Sequence, residues 1–277
     1  MSAALPYVKG HGTENDFVVL PDLDGSLRLT PPQVARICDR RAGLGADGVL
    51  RVVPAALDPE GARWVEPSGE VRWFMDYRNA DGSLAEMCGN GIRVYARYLV
   101  DAGLAVPGRL RLATRGGVKD VDVASATADV VVDMGPATVG EPVQIDGRPA
   151  IFVDMGNPHA VLSVASVAAL GALSPSRRDL NVEYVEQRDV GSLRMRVHER
   201  GVGETRSCGT GACAAVVATS LRTGTARGTA YDVHVTGGRL EVVWRADGHV
   251  LLSGPAVLVS AGELRADWLD PVQTGAR

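Results

Sequence analysis

Hydrophobic and polar positions in this chain alternate, or run apolar for four to six residues, in many short stretches. That period predicts strands at 17–20, 49–53, 71–77, 118–123, 129–134, 151–155, 181–185, 193–197, 231–235 and 240–244. Gly237-Gly238 between the last two reads as a two-residue hairpin signal. Helical spacing is rarer. One helix is expected over 31–41, with Thr30 as N-cap and Pro31 in the first turn. A second follows Cys88, with Ile92, Tyr95, Ala96 and Leu99 on one face, and stops at Gly103. A third follows Cys208, with Ala212, Val216, Val217 and Leu221, and stops at Gly224. The pattern is that of an α+β chain, rich in strands.

The last two helices open on the same punctuation, MCGNGIR (87–93) and SCGTGAC (207–213). Both read Cys-Gly-x-Gly, with Asn90 or Thr210 at x. Nine residues before each cysteine, at the end of a strand-like run, stand Asn79 and Glu199. Strand, loop, Cys-Gly-x-Gly and helix therefore occur twice, which points to an internal duplication. The expected halves are 1–134 and 135–263, with 264–277 joining the first.

Glycines at a helix start let the backbone approach a ligand closely, and the free N–H groups of the first turn bind anions. A cysteine there gains thiolate character: the helix dipole is expected to lower its pKa from about 8.5 by about one unit. Two such motifs acting on one ligand carboxylate would put one thiol on each face of the adjacent carbon. That arrangement inverts a stereocentre. One thiolate removes the α-proton, and the other thiol protonates the opposite face. The helix ends would stabilise the carbanion as an enediolate. A single cysteine at a helix start is usually a small buried residue, and Cys38 and Cys213 read that way. The matched pair does not. Zinc ligation finds no Cys-x2-Cys spacing, so no metal is expected.

Composition narrows the rest. The chain has 277 residues, 45% hydrophobic and 22% charged, which fits a globular protein and argues against disorder. Its length suits one large or two medium domains. The net charge of -4, the absence of a basic run and 5% aromatics disfavour nucleic acid as a partner. Only Lys9 and Lys119 could form a Schiff base, and no Gly-Lys-Ser/Thr loop is present. No cofactor is therefore expected. The most apolar run, 160–173, is too short for a membrane span, and no leader pattern is seen. Four cysteines do not make a disulfide framework, so a reducing cytoplasm is the expected compartment. The expected partner is a small molecule, with the chain a monomer or homodimer.

At these residues the chain resembles the diaminopimelate epimerase family. The resemblance runs through KGHGTENDF (9–17), DYRNADGSLAEMCGNGIR (76–93), DMGNPHAV (154–161), LNVEYV (180–185) and HERGVGETRSCGTGA (198–212). It implies two pseudo-symmetric domains, each a curved mixed sheet wrapped around a central helix, with the active site in the cleft between them. It implies cofactor-independent epimerisation of LL- to meso-diaminopimelate, on the route to lysine and peptidoglycan. Cys88 and Cys208 match the acid/base pair. Asn15, Asn79, Asn157 and Asn181 match substrate-binding asparagines. Glu199 and Arg200 match residues that hold the substrate amine and distal carboxylate, and Gly89, Asn90, Gly209 and Thr210 match the anion-cradling turns. His159 and Glu199 match residues that tune the thiols.

Two departures stand out. The GLGADG stretch (43–48) carries Gly48 where many relatives have Gln, and 174–180 is short. Proline racemases and phenazine-pathway isomerases share the fold, so racemisation of another amino acid is the alternative reaction. A non-catalytic amino-acid-binding module is the alternative class. Oxidation of the substrate-free protein is expected to link Cys88 to Cys208.

Overall fold

The computed structural model describes residues 4–269. In chain order the elements are β1 (Leu5–Gly12), β2 (Asn15–Pro21), α1 (Pro31–Cys38), β3 (Gly48–Pro54), β4 (Val71–Asn79), α2 (Gly89–Asp101), β5 (Gly108–Thr114), β6 (Gly117–Val123) and β7 (Val130–Pro136). They continue with β8 (Thr138–Val139), β9 (Val143–Ile145), β10 (Arg148–Asp154), β11 (Pro158–Ser163), β12 (Asn181–Asp189), β13 (Ser192–Glu199), β14 (Gly203–Thr205) and α3 (Gly209–Thr223). The last are β15 (Ala230–Val235), β16 (Gly238–Trp244), β17 (His249–Gly254), β18 (Val257–Leu264) and α4 (Ala266–Leu269).

These elements form two compact units. The first comprises residues 4–12, 16–126 and 256–269, and the second 13–15 and 127–255. The position 134/135, where the duplication places the halves, falls inside β7, which pairs with β17 of the second unit. The chain returns to the first unit at Ala256, and 270–277 lie outside the described residues.

In the first unit β2 runs parallel to β3, β3 antiparallel to β4, β4 parallel to β5, and β5 antiparallel to β6. β18 adds antiparallel to β1. In the second unit β11 runs parallel to β12, β12 antiparallel to β13, β13 parallel to β15, and β15 antiparallel to β16. The pattern is the same strand for strand. In both units the Cys-Gly helix supplies the crossover between the two parallel strands that flank it. The duplication read from the two motifs thus extends to the sheet connections.

Both crossover helices are buried. α2 is enclosed from Gly89 to Leu99 and lies against β1, β3, β4, β6 and β18. α3 is enclosed from Gly209 to Ser220 apart from Thr210, and lies against β10–β13, β16 and β17. Alanine and valine fill α3 on every side, as a helix surrounded by sheet requires.

Three expectations are adjusted. α1 ends at Cys38 rather than at residue 41, because the chain doubles back: a Cβ on Gly43 would lie 2.1 Å from the Arg36 carbonyl oxygen. The β15–β16 hairpin loop is Thr236-Gly237, since Gly238 already pairs with Val235. β1, β5, β8, β9, β11, β14, β17 and β18 are strands beyond those the sequence pattern predicts. β18 exposes residues on both faces, so it carries no alternation to read.

Candidate active site

Cys88 is the N-cap of α2 and Cys208 the N-cap of α3. Both have extended backbones, with φ/ψ of −140°/121° and −129°/117°. The Cys88 sulfur accepts the N–H of Gly91 at 3.4 Å, and the Cys208 sulfur that of Gly211 at 3.4 Å. Sulfur here takes the place of the Ser, Thr or Asp oxygen that usually caps a helix. Glycine at the third helical position leaves room for it. A Cβ on Gly211 would stand 3.3 Å from the Cys208 sulfur and 2.7 Å from Glu183 Oε1.

Next to Cys88 the first unit supplies Gly89 and Asn90, and Asn79 lies at the end of β4, the strand before α2. Gly89 and Asn90 are buried in the first turn of α2, and the Arg93 guanidinium donates to the Gly89 carbonyl at 3.2 Å. Asn79 ends β4 and opens a tight turn, its Nδ2 donating to Ser83 Oγ at 3.0 Å. Gly82 completes the turn at φ +85°, where a Cβ would collide with Pro31 at 2.4 Å.

Around Cys208 the second unit builds a longer network. Thr210 Oγ1 lies 3.5 Å from the sulfur. Asn157 Nδ2 donates to Thr210 Oγ1 at 3.4 Å, and Asn157 Oδ1 lies 3.0 Å from His159 Nε2. His159 Nδ1 lies 2.7 Å from Glu183 Oε1, with both side chains fully buried. Glu199 accepts from the Thr205 hydroxyl, and its charge bears on the Cys208 thiol. Asn181 is used within the sheet: Nδ2 donates to the Pro158 carbonyl and Oδ1 accepts the Arg200 N–H, each at 3.0 Å. Arg200 itself is exposed. Asn15 belongs to 13–15, which clusters with this unit.

The electrostatics correct one expectation. Burial pushes the Cys208 thiol well above its ordinary pKa, and the carboxylates of Glu199 and Glu183 push it further. Thr210 and the Gly211 N–H act the other way without prevailing. The helix terminus favours thiolate as expected, but desolvation and two nearby negative charges outweigh it. Glu199 is raised as well, first by burial. Cys38 is buried and pushed up to about 12, and Cys213 is fully buried.

Comparison with known proteins assigns the chain. A family profile described as diaminopimelate epimerase matches residues 7–140 and 151–259. The chain belongs to the diaminopimelate epimerase family. The diaminopimelate epimerase of Streptomyces coelicolor is 52% identical over 98% of this chain and 99% of its own length. That of Corynebacterium glutamicum is 46% identical over 96% and 100%. Among solved structures, a Bacillus anthracis phenazine biosynthesis protein superposes with a TM-score of 0.72 at 14% identity, covering 95% of this chain and 99% of that one. A hydroxyproline epimerase from Agrobacterium vitis gives 0.70 at 14%, covering 98% and 94%. At such identities these two speak for the fold, in which each domain wraps a mixed sheet around a central helix.

Within this family member Gly48 has a steric reason. It opens β3 opposite Asn79, and a Cβ there would lie 2.5 Å from the Arg78 carbonyl oxygen and 2.7 Å from the Tyr77 ring. The crossover between β11 and β12 contains no helix. Two contributors escaped the sequence reading. Glu183 is one, and its signal was a carboxylate inside the apolar run NVEYV. The other is Thr13, at φ +49°, whose hydroxyl lies 2.6 Å from that of Ser207, next to Cys208.

Proposed function

We propose that this protein interconverts LL- and meso-2,6-diaminopimelate without a cofactor, using Cys88 and Cys208 as its acid/base pair. One thiolate removes the α-proton and the other thiol delivers a proton to the opposite face. The first-turn N–H groups at Gly89, Asn90, Gly209 and Thr210 receive the α-carboxylate and stabilise the enediolate that forms from it. Glu199 takes the substrate ammonium, and Arg200 the distal carboxylate. Asn15, Asn79, Asn157 and Asn181 supply neutral donors and acceptors for a zwitterion with two amino-acid ends. Family precedent suggests Cys208 as the acceptor from one stereoisomer and Cys88 as the donor. We place the reaction in the cytoplasm, in the supply of lysine and peptidoglycan precursors.

The observation that carries this reading is the repeated cap. Two cysteines, each at the head of a crossover helix, each accept the N–H three residues on. The elevated Cys208 thiol fits a resting enzyme whose acid is loaded. An ammonium brought to Glu199 cancels a charge that holds the proton on sulfur, so substrate itself turns the thiol towards a base.

The test is incubation of LL-diaminopimelate, and separately L-proline, in deuterated water. The reading requires meso product with α-deuterium from the first and none from the second. Absence of both product and exchange from diaminopimelate contradicts it, and turnover of proline alone points to the racemase alternative.

A further inference from the structure

Glu183 sits where a carboxylate is costly. It occupies the third position of β12, between Val182 and Tyr184, with no solvent exposure. Its Oε2 is buried without a hydrogen-bond partner, and Oε1 meets His159 Nδ1 at 2.7 Å. The sheet explains the meeting. His159 pairs with Asn181 across the parallel β11–β12 ladder, and Glu183 lies two residues on, on the same face. A buried carboxylate left without a partner is strongly disfavoured, so the His159 N–H is what makes the position tenable. The other titratable groups that feel the charge of Glu183 are Glu199 from β13 and Cys208 at the head of α3.

From Glu183 a continuous series of polar contacts leads to the sulfur: His159, Asn157, Thr210, Cys208. Its donors and acceptors can be assigned in two consistent ways. With Cys208 as thiolate, the Thr210 hydroxyl donates to sulfur and Asn157 Nδ2–H donates to Thr210. The Nε2–H of a cationic His159 then donates to Asn157 Oδ1. With Cys208 as thiol, S–H donates to Thr210, the Thr210 hydroxyl donates to Asn157 Oδ1, and Asn157 Nδ2–H donates to a neutral Nε2. The two forms carry the same number of protons. They differ by one proton, on Nε2 or on sulfur, and by a half-turn of the Asn157 amide. In both, Nδ1–H donates to the Glu183 carboxylate.

We propose that Glu183 is a positioning residue for Cys208: by holding a proton on His159 Nδ1, it leaves Nε2 as the atom whose protonation follows that of the thiol through Asn157 and Thr210. A carboxylate that fixes an imidazole tautomer for a nucleophile does the same work in hydrolytic triads. Without that charge Nε2 can keep its proton in the neutral ring, and the coupling to sulfur is lost. The proposal rests on the acid/base role given to Cys208 above.

The test is Glu183→Gln, which keeps shape and a hydrogen-bonding oxygen but removes the charge. Two readouts are taken on folded protein, checked by an unchanged thermal transition. The first is the 15N–1H NMR spectrum of the imidazoles, with the His159 signals assigned by their loss in His159→Asn. The proposal expects Nδ1–H in the wild type and a population of Nε2–H in Glu183→Gln. The second is epimerisation of diaminopimelate. kcat should fall at least about tenfold, though by less than the roughly 10⁴-fold of a directly coupled triad carboxylate. KM should change little, and the kcat–pH profile should shift. In a His159→Asn background the same substitution should add almost nothing. A neutral wild-type His159 protonated on Nε2, or a folded Glu183→Gln enzyme with wild-type kcat and pH profile, overturns the proposal. The NMR readout needs no substrate. A wild type inert towards diaminopimelate but carrying Nδ1–H on His159 would therefore count against the substrate and for the Glu183 assignment.

Discussion

The sulfur of Cys208 lies 3.4 Å from the backbone nitrogen of Gly211, and the same cap joins Cys88 to Gly91 in the other unit at 3.4 Å. If these two sulfurs carry the protons, each is needed. Cys88→Ala and Cys208→Ala should each lower epimerisation by at least about 10²-fold, the scale of one general acid or base. Cys38→Ala and Cys213→Ala should keep activity and lose only some thermal stability, because both fill apolar space. Steady-state kinetics beside thermal melts separate the two pairs, and equal losses in all four would contradict the assignment.

Glu199 bears on Cys208 in a direction that can be measured. After burial, its negative charge does most to hold the proton on sulfur. Glu199→Gln removes that charge, so the thiol pKa should fall and the thiolate fraction at pH 8 should rise. Alkylation of Cys208, followed by peptide mapping across pH, should reach its half-maximal rate at lower pH than in the wild type. Epimerisation should fall at the same time, since the ammonium loses its counter-charge. A pH midpoint unchanged or moved upward would refute this.

Gly211 and Gly48 tolerate no side chain for different reasons. Gly211→Ala drives a methyl towards Glu183 and the Cys208 sulfur, so activity should drop by an order of magnitude or more, with a stability cost of about 1–3 kcal/mol. Gly48→Gln meets a backbone carbonyl that has little room to yield. It should destabilise the protein by a similar amount without adding substrate affinity. Melting curves and KM decide both.

The crossover helices and their caps were legible in the sequence because a glycine pair and an apolar period mark them locally. The edge strands were not. β18 shows no alternation, and its identity depends on β1, about 250 residues earlier in the chain. At the site, the repeated motif and its spacing single out Cys88, Cys208 and Glu199 as candidates, and the role proposed for Glu199 comes from the family resemblance. The pKa of Cys208 could not be read, because the sequence shows the helix that lowers it and conceals the burial and the Glu183 charge that raise it. Glu183 itself reaches His159 only through the β11–β12 register, 24 residues on.

The two-thiol mechanism is tested most directly by where solvent deuterium goes in the first few per cent of reaction. LL-diaminopimelate is incubated with enzyme in deuterated water, and product and returned substrate are separated and analysed by mass. A base that is one thiol and an acid that is the other predict one deuterium at the inverted carbon of meso product, and unlabelled returned LL-substrate. Deuterium entering returned substrate as fast as product would mean that a single exchangeable base serves both faces, and would contradict the account.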